Sequence, residues 1–208
     1  MKFLDFSSSS SIKRIYIDLY KMATGILEEK LHYFTQPQLS VNIYKLAAAY
    51  KIKIYDKDMI NLILPSGEPA VEVLGYLNTY SGKAIYLNRN ARSLTRRYII
   101  AYHLAYYLLN DGKTENYVHY LTEASLPVDI DRQLCHLLAS FLLIPAESVS
   151  KLLIQYKKTF PSLQISLSSW LDYLGNAMGL PIHYASTAFE AVRTLHVFLA
   201  EEHAEFLE

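Results

Sequence analysis

The chain has 208 residues, with 20 Lys plus Arg balanced by 20 Asp plus Glu. That neutrality excludes the overall attraction to phosphate expected of a general nucleic-acid binder. Hydrophobic residues make up 51%, Tyr fills 18 positions and Cys only one, so disorder and an internal disulfide framework are both excluded.

Ser7–Ser11 is a short run of serines, expected as a flexible lead that ends in a helix cap. From Ile12 the apolar residues fall at Ile15, Tyr16, Leu19, Met22, Ala23 and Ile26, the spacing of one face of a helix. A second helix is expected from near Ser40 to about Tyr50. It feeds a short alternating strand, Ile52–Tyr55. Pro65–Gly67 reads as a turn. Val71–Asn78 and Ala84–Asn88 read as the strands of a hairpin closed by Thr79-Tyr80-Ser81-Gly82. Then the period changes. Ser93–Leu109 is a helix apolar nearly all round, so it should be buried, and Asn110-Asp111-Gly112 stops it. Further helices are expected from Ile130 to before Pro145, from Ala146 to about Tyr156, over Leu167–Met178 and over Tyr184–Ala200. Gly179-Leu180-Pro181 is the turn between the last two.

Helices, a small sheet, then helices alone indicate an α+β fold, mostly helical. Phe160-Pro161-Ser162 is the boundary candidate, which divides the chain into a domain over 1–160 and a C-terminal helical pair over 161–208 packed on it. Met1–Ser11 lacks the apolar run of about 7–15 residues of a secretory signal. The longest apolar stretches, near Tyr98–Leu109 and Leu137–Pro145, are shorter than the ~18 residues of a membrane span. The expectation is a soluble, cytoplasmic protein with no membrane partner.

Three segments, in order, carry a family resemblance. The first is Val41-Asn-Ile-Tyr-Lys-Leu-Ala-Ala-Ala-Tyr-Lys-Ile-Lys-Ile. The second runs from Gly75-Tyr76-Leu77 through Ser81–Asn88 to Arg96-Arg97-Tyr98-Ile99-Ile100-Ala101. The third is Cys135-His136-Leu137-Leu138-Ala139-Ser140-Phe141-Leu142-Leu143-Ile144-Pro145. Together they resemble the ImmA/IrrE family of bacterial and phage-associated zinc peptidases. The resemblance implies a zincin-like fold, with a small sheet or hairpin packed on an active-site helix. It also implies a zinc cofactor and a protein substrate, often a helix-turn-helix repressor.

A peptidase of this type carries His-Glu-x-x-His on a helix. The two His share one face and bind Zn²⁺, and the Glu activates the metal-bound water. Here the aligned residues are Tyr102-His103-Leu104-Ala105-Tyr106. Tyr stands at both His positions, and His103 stands at the Glu position. Neutral Tyr, with an ordinary pKa of about 10, is a poor zinc ligand near pH 7. The family's third ligand, a Glu on the later helix, falls at Arg132 or Leu134, and Asp131 is one residue off. The expectation is that no catalytic residue is intact and that no metal or other cofactor is held.

His103 and His136 should face one pocket with Tyr102, Tyr106 and Arg132. Tyr98, Tyr102 and Tyr106 make one stripe, which either fills the volume of a lost metal centre or lines a groove for a peptide. Cys135 sits among leucines and reads as a buried, inert thiol. Lys83–Arg97 holds five basic and no acidic residues, whereas Gln164–Glu208 holds one basic against six acidic. An acidic pair of helices is ill suited to DNA, because phosphate contacts need Lys and Arg. The lead expectation is therefore a catalytically degenerate peptidase fold that binds a protein, such as a helix-turn-helix repressor, without direct nucleic-acid contact. A second copy of the chain is another candidate partner. Two rivals stay open. One is an active zinc endopeptidase using His103, His136 and a carboxylate such as Asp131 or Glu123. The other is a structural or oligomerisation protein.

Overall fold

The computed structural model describes residues 9–35, 39–59, 73–80, 82–112, 118–122, 130–160 and 166–205. The turn expected at Pro65–Gly67, the first two residues of the serine run, Val71, Glu72 and Glu123 lie outside these residues. The fold is α+β, with seven helices and four strands among the described residues. Two compact units are present: Met1–Val41 with Ser140–Glu208, and Asn42–Ala139. The sequence boundary near 160 falls inside the first of these.

The first unit is helical. Helix α1, Ser9–Leu31, buries Ile15, Leu19, Ala23 and Ile26 of the stripe read from the sequence, and Leu27 in addition. Ser9, Ser10 and Ser11, expected in the lead, already belong to this helix. Its aromatic contacts are edge-to-face: Tyr20 meets Phe141 at 5.5 Å and Tyr16 meets Phe198 at 5.4 Å. Following α1, the Tyr33 hydroxyl donates to the Leu39 carbonyl at 3.0 Å and accepts from the buried Ser148 hydroxyl at 2.8 Å. Tyr33→Phe leaves Ser148 without that partner and should cost about 1–2 kcal/mol, read from the urea midpoint at unchanged m-value.

The later helices of this unit are α5 (Ala146–Thr159), α6 (Leu167–Met178) and α7 (Ile182–Glu205). Ser166 caps α6 by accepting from the Ser169 amide at 3.1 Å, and Gly179 ends it in the left-handed region at φ 64°. That geometry is the reason a glycine stands there. Helix α7 is longer than its apolar pattern suggested, beginning at Ile182 and reaching Glu205.

The second unit carries the sheet. Helix α2, Ile43–Ala49, is capped by Asn42, whose side chain accepts from the Lys45 amide at 3.0 Å. Asn42, and not Ser40, therefore sets its start. The strands are β1 (Lys53–Lys57), β2 (Val73–Asn78), β3 (Ala84–Asn88) and β4 (Val118–Thr122), in the spatial order β1-β3-β2-β4. The hairpin β2–β3 is antiparallel as expected. Strand β1 pairs parallel to β3, and β4, absent from the sequence reading, pairs antiparallel to β2.

Alternation divides the sheet into two faces. One face bears Leu77, Ile85, Leu87, Gly75, His119 and Leu121, and α3 (Ser93–Leu109) packs on it. The other bears a row of tyrosines that crosses all four strands. Register places Tyr55 opposite Tyr86, Tyr86 opposite Tyr76, and Tyr76 opposite Tyr120. Successive ring centroids are 5.5, 4.7 and 5.5 Å apart. Lys57 donates to the Tyr76 hydroxyl at 3.0 Å, which raises the lysine's pKa. Helix α4, Ile130–Leu143, supplies the remaining wall of the second unit through its first ten residues.

Candidate functional site

Helix α3 lacks a side-chain cap at Arg92, so burial, not capping, holds it. Tyr98–Ala105 is an unbroken run of eight buried residues. A helix can bury all its sides only if its neighbours approach closely, and Gly75 on β2 provides this. A methyl group at Gly75 would lie 2.6 Å from Ile99 Cγ2 and 2.9 Å from the Tyr86 carbonyl oxygen. The bare glycine lets Ile99 and His103 sit against the strand backbone.

Tyr102 and His103 are both wholly buried, at 0% exposure. The Tyr102 ring stacks on His119 at 5.5 Å and lies 4.8 Å from the His136 ring. Tyr106 stacks on His119 more closely, at 3.8 Å and 11° between planes. The Tyr98 hydroxyl is hydrogen-bonded to His136 Nδ1. His103 Nδ1 lies 3.4 Å from His119 Nδ1, a weak contact that requires one of the two nitrogens to carry the proton. His103 Nε2 faces the Gly75 backbone without reaching full hydrogen-bond geometry.

Burial pushes the His103 pKa well below its usual value, and the adjacent His119 adds to the shift. Burial also lowers His136, to about 4, with the positive charge of Arg132 contributing. Both rings are therefore neutral at pH 7. A neutral imidazole accepts a proton only reluctantly at such depth, so the cluster is a poor general base.

The residues singled out in the sequence do come together: Tyr102, His103 and Tyr106 from α3, and His136 from α4, with Arg132 half-buried beside it. Asp131 is exposed and Cys135 is buried. Leu134, the other candidate for the third ligand position, is 2% exposed and apolar. His119 was missed. It lies on the unrecognised strand β4, and its signal was the alternation in Val118-His119-Tyr120-Leu121-Thr122, where His119 and Leu121 point inward.

Zinc needs three or four N, O or S ligands. Among the described residues, no group of three or more His, Cys, Asp or Glu is placed to hold a metal ion. The imidazoles of His103 and His119 approach each other, flanked by tyrosine rings, and among the described residues no third His, Cys, Asp or Glu joins them. Comparison of the sequence with protein-family models and with curated proteins gives no match. Among the described residues, no single helix is long and apolar enough to cross a membrane. Helices α4 and α5 pass that test only as a pair, across a bend of 52°.

Proposed function

We propose that the chain is a zincin-like, catalytically degenerate relative of the ImmA/IrrE peptidases, cytoplasmic, that binds a protein partner without cutting it. One observation carries the reading: Tyr102, at the first metal-ligand position, is buried at 0% exposure with its ring against His119 and His136. On the alignment that the resemblance implies, its aromatic ring replaces the first of the zinc ligands. The neutral His103 and His136 supply neither a bound metal's charge nor an activated water. The partner class that fits the resemblance is a helix-turn-helix repressor, held intact. The acidic balance of Gln164–Glu208 favours a basic protein surface over DNA.

The test pairs metal content with binding. Purified protein should carry well under one zinc per chain by elemental analysis. Mixed with a helix-turn-helix repressor from the same genome, it should co-elute on size exclusion with the repressor at full length. A second reading, an active enzyme with unusual ligands, is favoured by one distance. The 3.4 Å between His103 Nδ1 and His119 Nδ1 matches the ~3.3 Å edge of a zinc tetrahedron with Zn–N bonds near 2.0–2.1 Å. One zinc per chain that is lost in His119→Ala, together with repressor cleavage, would establish the second reading and end the first.

A further inference from the structure

A cleft of about 500 Å³ opens on the tyrosine face of the sheet, at the edge strand β1. It is independent of the buried α3 cluster, which lies on the opposite face. Register builds it. Lys53 is opposite Ala84, and Tyr55 is opposite Tyr86. The small side chain of Ala84 lines the cleft together with the two tyrosines and Gly82. Lys51 and Lys83 complete the lining, and Asp56 borders it.

The charges are one-sided. Asp56 is ion-paired with Arg96, which neutralises the cleft's single carboxylate. The Lys83 ammonium is fixed 4.6 Å above the Tyr107 ring and donates to its hydroxyl. Among the described residues, no carboxylate pairs with Lys51 or Lys53. Lys51 also holds a left-handed backbone conformation, φ 58°, at the end of α2, where glycine or asparagine is the unstrained choice. A lysine at that position places a charge on the rim at a conformational cost.

The aromatic component is equally specific. Tyr55 is the terminal ring of the four-ring ladder among the described residues and is 44% exposed. A flat ring can stack beside it as bases do on the aromatic side chains of nucleotide-binding surfaces. Lysine ammonium groups bind phosphate as point charges. The volume falls within the range of small-molecule sites, about 300–1,000 Å³. We infer that this cleft binds a mononucleotide, its base stacked on Tyr55 and its phosphate held by Lys51 and Lys53.

The experiment is a calorimetric titration of the full chain at low salt with AMP, adenosine, inorganic phosphate and a 5′-phosphorylated trinucleotide. AMP should bind at least 10-fold more tightly than adenosine or phosphate alone, because each of these lacks one half of the recognition. Lys51→Ala with Lys53→Ala, and separately Tyr55→Ala, should each weaken AMP at least 10-fold. All three side chains are on the surface, so an unchanged thermal midpoint checks that the variants fold. AMP no tighter than phosphate, or unaffected by these variants, overturns the proposal. A trinucleotide at least 10-fold tighter than AMP overturns it in favour of a strand.

Discussion

Gly75→Ala should lower the stability of the protein by about 2–3 kcal/mol, a drop of roughly 5–10 °C in thermal midpoint for a chain of this size. The added methyl meets Ile99 Cγ2 at 2.6 Å and the Tyr86 carbonyl oxygen at 2.9 Å. Neither neighbour yields easily. Tyr86 is backbone in the central strand β3, paired on both sides, and Ile99 is wholly buried. The response must be a shift of α3 away from the sheet, which loosens contacts along the Tyr98–Ala105 run. Ile99→Ala removes the closer clash. The double variant should therefore lose at least ~1 kcal/mol less than the two single losses added together. The Tyr86 contact persists, so rescue is partial. Additive losses in a denaturant series would show that Gly75 is not the point of close approach.

Acid should destabilise the protein from about pH 6.5 downward, earlier than carboxylate titration alone would do. His103 and His136 have folded pKa values below the ordinary 6.5, the latter at about 4. Above pH 6.5 both states are neutral and the histidines contribute no pH dependence. Below it the unfolded chain takes up protons that the folded chain refuses, so stability falls with falling pH. The slope is about 1.4 kcal/mol per pH unit for each histidine. For His136 the loss ends near pH 4, where the folded state protonates too, and totals about 2–3 kcal/mol after allowing for its partial exposure. For His103 it continues lower. Urea unfolding between pH 7 and 5 should show proton uptake on unfolding, and His136→Gln should reduce that uptake by close to one proton at the acid end. A flat profile in that window would mean that the two rings are not buried neutral.

The proposed function draws on the same chemistry. A cluster that holds two neutral histidines, His103 on α3 and His136 on α4, against the buried Tyr98 and Tyr102 is organised for packing. Introducing the peptidase pattern with Tyr102→His, His103→Glu and Tyr106→His would place a carboxylate at a position with no exposure, where burial raises its pKa. The rest of the cluster is packed around the rings, so supplying the motif does not supply the site.

Much of this was legible in the sequence, because it rests on local chemistry. The helix stripe of α1, the helix over Leu167–Met178, the hairpin β2–β3, the stop at Asn110-Asp111-Gly112 and the all-round burial of α3 follow from periodicity and turn residues. The shared face of Tyr102 and Tyr106, with His103 beside them, was visible too, since it needs only a helical spacing. Strand β4 was not, because five residues with one inward histidine look like loop until β2 offers them a partner. His119, the ring that packs between Tyr102, Tyr106 and His103, was lost with it.

The sequence alone determined which residues are apolar, which segments are helical, and that Tyr102 and Tyr106 share one helix face. Tertiary structure decided the rest: that β1 runs parallel to β3, that Gly75 lets α3 approach, and that four of the tyrosines form a ladder across the sheet. The physical reason is range. Helix and turn signals are written within a few residues of one another, whereas register and burial are set by pairing partners tens of residues away. The neutral overall charge illustrates the same limit: it conceals a local cluster of lysines that only the pairing of β1 with β3 brings to one cleft.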